Sequence, residues 1–290
     1  MKPPPFAYAA PDSVGEATAL LAEYGDEARI IAGGQSLMPM LALRVARPAV
    51  LIDIGRIAEL ARWRQDEDTL CIGSTVRQRA LLDDDGLAAA APLFGEAARF
   101  IGHPATRSRG TIAGSLCHAD PAGELPVCAK VLGAELLIGS KRGERRVAAD
   151  DFFEAALSTA IQDDELVIEV RLPAPPPRTG FAFEELARRH GDFALVAVGC
   201  AVTLDDEGLM TAARIGLGGV GETPITFDLE DLSQSCETDD ETFAELARDV
   251  AGRIEPGSDL HATSDYRRSI AAPLVRQALR KAADRAAGQG

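Results

Sequence analysis

The chain has 290 residues, enough for about two domains that each bury a core. Its 30 Lys and Arg against 45 Asp and Glu give a formal net charge of −15. That balance excludes nucleic acid as a partner, because affinity for a polyphosphate backbone comes largely from cations displacing counterions. A phosphate-bearing ligand is therefore expected to be held by backbone N–H groups, which carry no net charge.

No apolar run approaches the roughly 18–20 residues of a membrane span, so none is expected. Met1 to Phe6, with three consecutive prolines, shows no signal-peptide pattern. Cys71, Cys117, Cys128, Cys200 and Cys236 are scattered with no C-x-x-C pair, which is neither a disulfide framework nor a metal cradle. With four dispersed histidines, no metal site is expected, and the cysteine usage points to a reducing, cytoplasmic setting.

In chain order, Ser13-x-x-Glu16 is a capping box that opens a helix running to Gly25. Ala28 to Ile31 reads as a buried strand, Leu37 to Val45 as a helix and Val50 to Ile54 as a strand. A strand from Thr69 leads into an expected helix over Thr75 to Leu82, then an Ala-rich helix over Leu87 to Phe100. Residues 102–123 lose all periodicity and read as a long functional loop, after which a helix resumes at Leu125 to Leu132. Strands follow at Glu135 to Ile138 and Glu165 to Arg171. Pro173-Ala174-Pro175-Pro176-Pro177 is a stiff spacer and the expected domain boundary. Beyond it come strands over Phe193 to Leu204 and Arg214 to Val220. Two helices, Asp240 to Gly252 and Ser264 to Ala287, follow, the second with an apolar stripe of Tyr266, Ile270, Leu274 and Leu279.

Two segments could carry chemistry. Ala32-Gly33-Gly34-Gln35-Ser36-Leu37 lies between a strand and a helix, where two glycines let amides approach an anion and Ser36 can cap the helix or donate to phosphate. A tight strand–helix turn that needs glycine for geometry alone is the competing reading. The second runs from Gly110 to Pro126, with hydroxyls at Thr111 and Ser115 and carboxylates at Asp120 and Glu124 that could accept sugar hydroxyls. Its competing reading is a polar loop in which Asp120 only caps a helix. His118 fits a structural role better than a general base, and Cys117 and Cys128 lack basic neighbours that would activate them.

Together, Ala32–Leu37 and Thr111–Pro121 resemble the FAD-binding medium subunit of molybdenum hydroxylases, the group of carbon monoxide dehydrogenase medium subunits and xanthine dehydrogenase flavin domains. Arg188-Arg189-His190-Gly191-Asp192-Phe193 and Ala262-Thr263-Ser264-Asp265-Tyr266-Arg267-Arg268 are similar to later motifs of the same family, in the same order. The resemblance implies an α+β chain: an FAD-binding fold of the vanillyl-alcohol-oxidase (PCMH) type. It would comprise two α/β subdomains (1–55 and 56–172) and an α+β C-terminal domain (178–290).

It implies that Ile31, Ala32, Gly33, Gly34, Gln35, Ser36 and Leu37 hold the FAD pyrophosphate. Thr111, Ala113, Gly114 and Ser115 would supply a second set of contacts. Asp120 and Glu124 would lie near sugar or ribityl hydroxyls, and Asp192 and Phe193 near the isoalloxazine. It further implies an electron-transfer flavin subunit with no catalytic side chain of its own. Molybdopterin would sit on a partner large subunit and [2Fe–2S] clusters on a partner small subunit, assembled as a dimer of heterotrimers.

The chain departs from the family pattern. Ala113 and Ser115 replace a glycine and an asparagine, so a methyl is expected where backbone approaches phosphate. Glu124 stands where Asp is common, and Glu184-Glu185 where a lysine is frequent. Two other readings are a structural subunit without flavin and a stand-alone flavin oxidase, for which His103 is the one arguable covalent anchor.

Overall fold

A computed structural model describes residues 2–228 and 237–288; Met1 and Cys236 lie outside the described residues. The N-terminal unit is a parallel sheet of order β1 (Ala7–Ala9), β3 (Val50–Asp53), β2 (Ala28–Ile31). Its helix Val14–Tyr24 is capped by Ser13, whose Oγ accepts from the Glu16 N–H (3.2 Å), while Glu16 Oε2 reaches back one residue beyond the cap to accept from the Asp12 N–H (2.9 Å). Gly25 ends it at φ +51, a conformation that glycine adopts without Cβ strain.

The middle unit is an antiparallel sheet of order β4 (Trp63–Asp66), β5 (Thr69–Gly73), β10 (Leu166–Pro173), β6 (Glu135–Ser140), β7 (Gly143–Ala148). A small hairpin of β8 (Phe153–Ala155) and β9 (Ser158–Thr159) precedes β10. Between β5 and β6 a run of short helices packs its apolar faces on the sheet, with Leu93, Phe94, Leu116, Leu125, Leu136 and Val170 fully buried in one core. The expected helix over Leu87 to Phe100 is two, Asp85–Ala90 and Pro92–Ala98, because Pro92 cannot continue the hydrogen-bond ladder.

The C-terminal sheet is a meander of β11 (Thr179–Ala187), β12 (Ala194–Leu204), β13 (Met210–Gly218) and β14 (Ile225–Asp228). Alternation along β11 serves two cores. Phe181 and Phe183 point into the middle unit, while Ala182 faces the helices Asp240–Arg253 and Ser264–Ala286. The C-terminal helix buries a face of Arg267, Ala271, Val275, Ala278, Leu279 and Ala282; of the expected stripe, Leu279 lies in the core, Ile270 and Leu274 pack half-buried against it, and Tyr266 is exposed. The small side chains on that face let the helix lie on the sheet so closely that a Cβ on Gly180 would overlap the Ala282 carbonyl.

No helix among the described residues is long and apolar enough to cross a membrane. The Gly180 contact yields a test of this packing. Gly180→Ala should destabilise the chain by about 1–3 kcal/mol through overpacking, read as a lower unfolding midpoint in urea at an unchanged m value.

Candidate cofactor-binding site

One cleft of about 1300 Å³ opens between the three units, and it gathers all fifteen residues singled out from the sequence. Ile31 ends β2, and the chain turns through Ala32–Ser36 into a helix at Leu37–Ala42. None of the N–H groups of Gly33, Gly34, Gln35, Ser36 and Leu37 donates a hydrogen bond to another described residue. The cleft is therefore lined by a run of residues whose amides are unpaired. Ser36 does not cap the helix with its side chain, so the capping role expected for it is not used.

Glycine is required here for close approach and for backbone conformation. A Cβ on Gly33 would overlap the Arg109 carbonyl and lie 2.8 Å from Gly110 Cα, and Gly34 adopts φ +70. The first loop is thus pressed against the backbone that leads into the second.

Residues 102–123 are not a structureless loop. They hold the short helices Pro104–Arg107 and Ile112–His118, the latter capped by Thr111, whose Oγ1 accepts from the Gly114 N–H (3.0 Å). Sequence periodicity misses these helices because each spans only one or two turns. Thr111 is buried and its hydroxyl accepts this cap, while Gly114 and Ser115 are half-buried on the cleft. Ala113 packs into the middle core, so the extra methyl anticipated there is accommodated among apolar side chains.

The expected helix over Thr75 to Leu82 is confined to Ala80–Asp83. Residues 76–78 instead pair with 110–112: the Gln78 N–H donates to Gly110 (2.9 Å) and the Ile112 N–H to Val76 (3.0 Å). Tertiary pairing outweighs the local helical signal here.

Asp120 follows Ala119, which sits at φ +50. Its Oδ1 accepts from the Ala122 N–H (2.9 Å), and its Oδ2 lies 3.9 Å from His118 Nε2. Glu124, 8% exposed, starts the helix Glu124–Val131. Burial pushes its carboxyl up to about 7, with the nearby Asp120 charge adding to the effect. Glu185 on β11 is likewise raised to about 8, by burial first and by Glu124 second, and its Oε2 has no partner among the described residues. Two of the departures from the family pattern are thus acids whose protonation the fold raises toward neutrality, Glu185 more than Glu124. Glu184 faces the other way, bonded to Gln277 Nε2 (2.9 Å) and Lys281 (2.5 Å).

On the C-terminal side, Asp192 and Phe193 form the cleft wall after Gly191 at φ +85, and Phe193 is 69% exposed. Sequence reasoning placed Arg267 in a signature without a role. The structure gives it one: buried at 6% exposure, it donates to the carbonyls of Leu195 (2.5 Å) and Gly219 (2.9 Å) and to Asp259 Oδ2 (2.8 Å). The Gly219 N–H in turn donates to the Pro121 carbonyl (2.8 Å), so the last helix fixes the wall against the Asp120 turn.

Residues 4–175 match the family described as the FAD binding domain in molybdopterin dehydrogenase, and residues 181–282 the CO dehydrogenase flavoprotein C-terminal domain. The chain belongs to the FAD-binding medium subunits of the molybdenum hydroxylases. It is 40% identical to the caffeine dehydrogenase subunit beta of Pseudomonas sp. (strain CBB1), covering 98% of this chain and 97% of that one. It is 37% identical to the carbon monoxide dehydrogenase medium chain of Hydrogenophaga pseudoflava, covering 97% and 98%.

Among solved structures, a carbon monoxide dehydrogenase from H. pseudoflava superposes with a TM-score of 0.93 at 36% identity, over 97% of this chain and 98% of that one. Quinoline 2-oxidoreductase from Pseudomonas putida 86 does so with a TM-score of 0.93 at 36% identity, over 99% of each. The fold is therefore the PCMH-type FAD-binding fold with the family's C-terminal domain, and the chain is an oxidoreductase subunit whose cofactor is FAD.

The buried acids set a pH dependence. Both carboxyls bind protons more tightly folded than at their ordinary 4.5, so the native state holds more protons than the unfolded chain above that pH. Stability from these groups is full below about pH 4.5 and is lost as pH rises through about 7 and 8. The melting temperature of the cofactor-free chain should fall between pH 5 and 9, and Glu124→Gln with Glu185→Gln should flatten that fall.

Proposed function

We propose that this chain is the electron-transfer subunit of a molybdenum-containing hydroxylase. It would receive electrons from a [2Fe–2S] partner subunit and pass them to an acceptor, with FAD supplying the redox chemistry. The observation that carries the reading is the row of unpaired amides at Gly33–Leu37, pressed against Gly110 in a cleft that also collects Thr111–Ser115, Asp120, Glu124, Asp192 and Phe193. Such a row suits a pyrophosphate on a chain of net charge −15, because it attracts the anion with dipoles alone.

In this reading Gly33–Leu37 and the half-buried Gly114 and Ser115 hold the phosphate–sugar spine. Asp120 and Glu124, whose carboxyl burial raises to about 7, face its hydroxyls. Phe193, an exposed aromatic in the cleft wall, covers a face of the isoalloxazine, with Asp192 beside it. Residues 1–55, 56–172 and 178–290 are the working division into two cofactor-holding subdomains and a C-terminal domain.

The proposed partners are a molybdenum-containing large subunit and an iron–sulfur small subunit, in a dimer of heterotrimers. Relatives across the whole length are named as medium chains or subunits, which supports this. The free thiols of Cys71, Cys117, Cys128 and Cys200 support a cytoplasmic location.

The purified chain should show a flavin absorbance spectrum that dithionite bleaches, and acid should release the flavin. A colourless chain that takes up no added FAD would overturn the reading. Flavin retained through acid precipitation would instead favour the covalent oxidase, with His103 on the cleft as the anchor to check.

A further inference from the structure

We propose that Gln78 is a cofactor-holding residue whose carboxamide donates a hydrogen bond to the FAD pyrophosphate. This rests on the FAD reading above and adds a residue from a segment outside both glycine-rich motifs. Gln78 is 5% exposed and lines the cleft. Its backbone pairs with Gly110 (2.9 Å), and its side chain passes behind Gly110, where a Cβ would overlap Oε1 and lie 2.9 Å from Cδ. Gly110 Cα in turn fills the space that a Cβ on Gly33 would need. Gln78, Gly110 and Gly33 are therefore stacked at the point where the unpaired amide row begins.

Oε1 is shut away against Gly110 with no partner among the described residues. That leaves Nε2 as the end of the carboxamide that meets the cleft, and it too donates to no other described residue. With Oε1 turned inward, the carboxamide holds an unpaired Nε2 donor open to the cleft on an otherwise buried side chain, the placement a ligand acceptor would use. A donor with no net charge, beside amides that face an anion, matches the way this acidic chain must hold phosphate. The neighbouring cation, Arg77, is turned to the Arg109 carbonyl.

The test uses the full-length, cofactor-free chain with Gln78→Met, which keeps length and removes both polar ends, and Gln78→Glu. FAD affinity is read by flavin fluorescence titration and folding by the melting temperature without cofactor. Gln78→Met should bind FAD about ten-fold or more weakly, while melting at or above the unsubstituted chain. Gln78→Glu should bind more weakly still, with part of the loss recovered at high salt.

The assignment is overturned if Gln78→Met binds FAD within about two-fold of the unsubstituted chain. It is equally overturned if the loss comes with a lower melting temperature, the mark of a purely structural residue. Gln78→Glu binding as well as Gln78→Met would also overturn it, since a carboxylate cannot sit against pyrophosphate without cost. An unsubstituted chain that takes up no FAD overturns the functional reading itself and is told apart by that control.

Discussion

At Gly33 two backbones meet with no side chain between them. The loop after β2 and the segment that leads into the helix Ile112–His118 approach so closely that a single methyl on Gly33 would strike the Arg109 carbonyl. The contact joins the parallel sheet of the N-terminal unit to the antiparallel sheet of the middle unit, and the cleft exists because they meet there. A bulkier residue at Gly33 would push apart the unpaired amides of Gly33–Leu37 and the hydroxyl-bearing face of the next helix. The glycine thus acts on the site twice, by permitting the crossing and by leaving amides uncovered.

The third wall depends on one buried cation. Arg267 reaches from the last helix to two carbonyls and a carboxylate, so its charge is paired and its donors are used in a place where an isolated guanidinium would be costly. Through Gly219 it secures the turn at Pro121, immediately after Asp120. The C-terminal sheet, whose β11 feeds two cores at once, is held to the middle unit by packing on one face and by this clamp at the cleft.

Charge is managed in the same spirit. The chain carries an excess of acid, yet Glu124 on the cleft and Glu185 are pushed toward the neutral form, first by burial and then by the Asp120 charge on Glu124 and the Glu124 charge on Glu185. The proposed phosphate site is lined by amides and hydroxyls, and the carboxyls near it are raised toward neutral pH. An acidic protein can hold a pyrophosphate in this way because the field in the cleft is set by local dipoles and protonation, whereas the overall charge is screened by salt over about 8–10 Å.

Much of this was legible in the residue order. Helix starts and stops such as Ser13-x-x-Glu16 and Gly25 were readable because caps act within one turn. The glycine pair and the Thr111–Ser115 segment were readable because close backbone approach restricts residue type. The long strand β12 announced itself by an apolar run. What short-range signals misjudged was decided by pairing at a distance. Residues 76–78 leave the helical state to bond 110–112, Pro92 divides a helix that composition favours, and the last helix buries Arg267 rather than Tyr266 because Arg267 finds acceptors at Leu195, Gly219 and Asp259. The sequence by itself determined most of the elements, a glycine-rich loop suited to an anion, and the family. Only the tertiary structure decided that Gly33 meets Gly110, that Gln78 stands behind them, and that Glu124 and Glu185 are both buried and close enough to couple, since these depend on residues far apart in the chain being brought together.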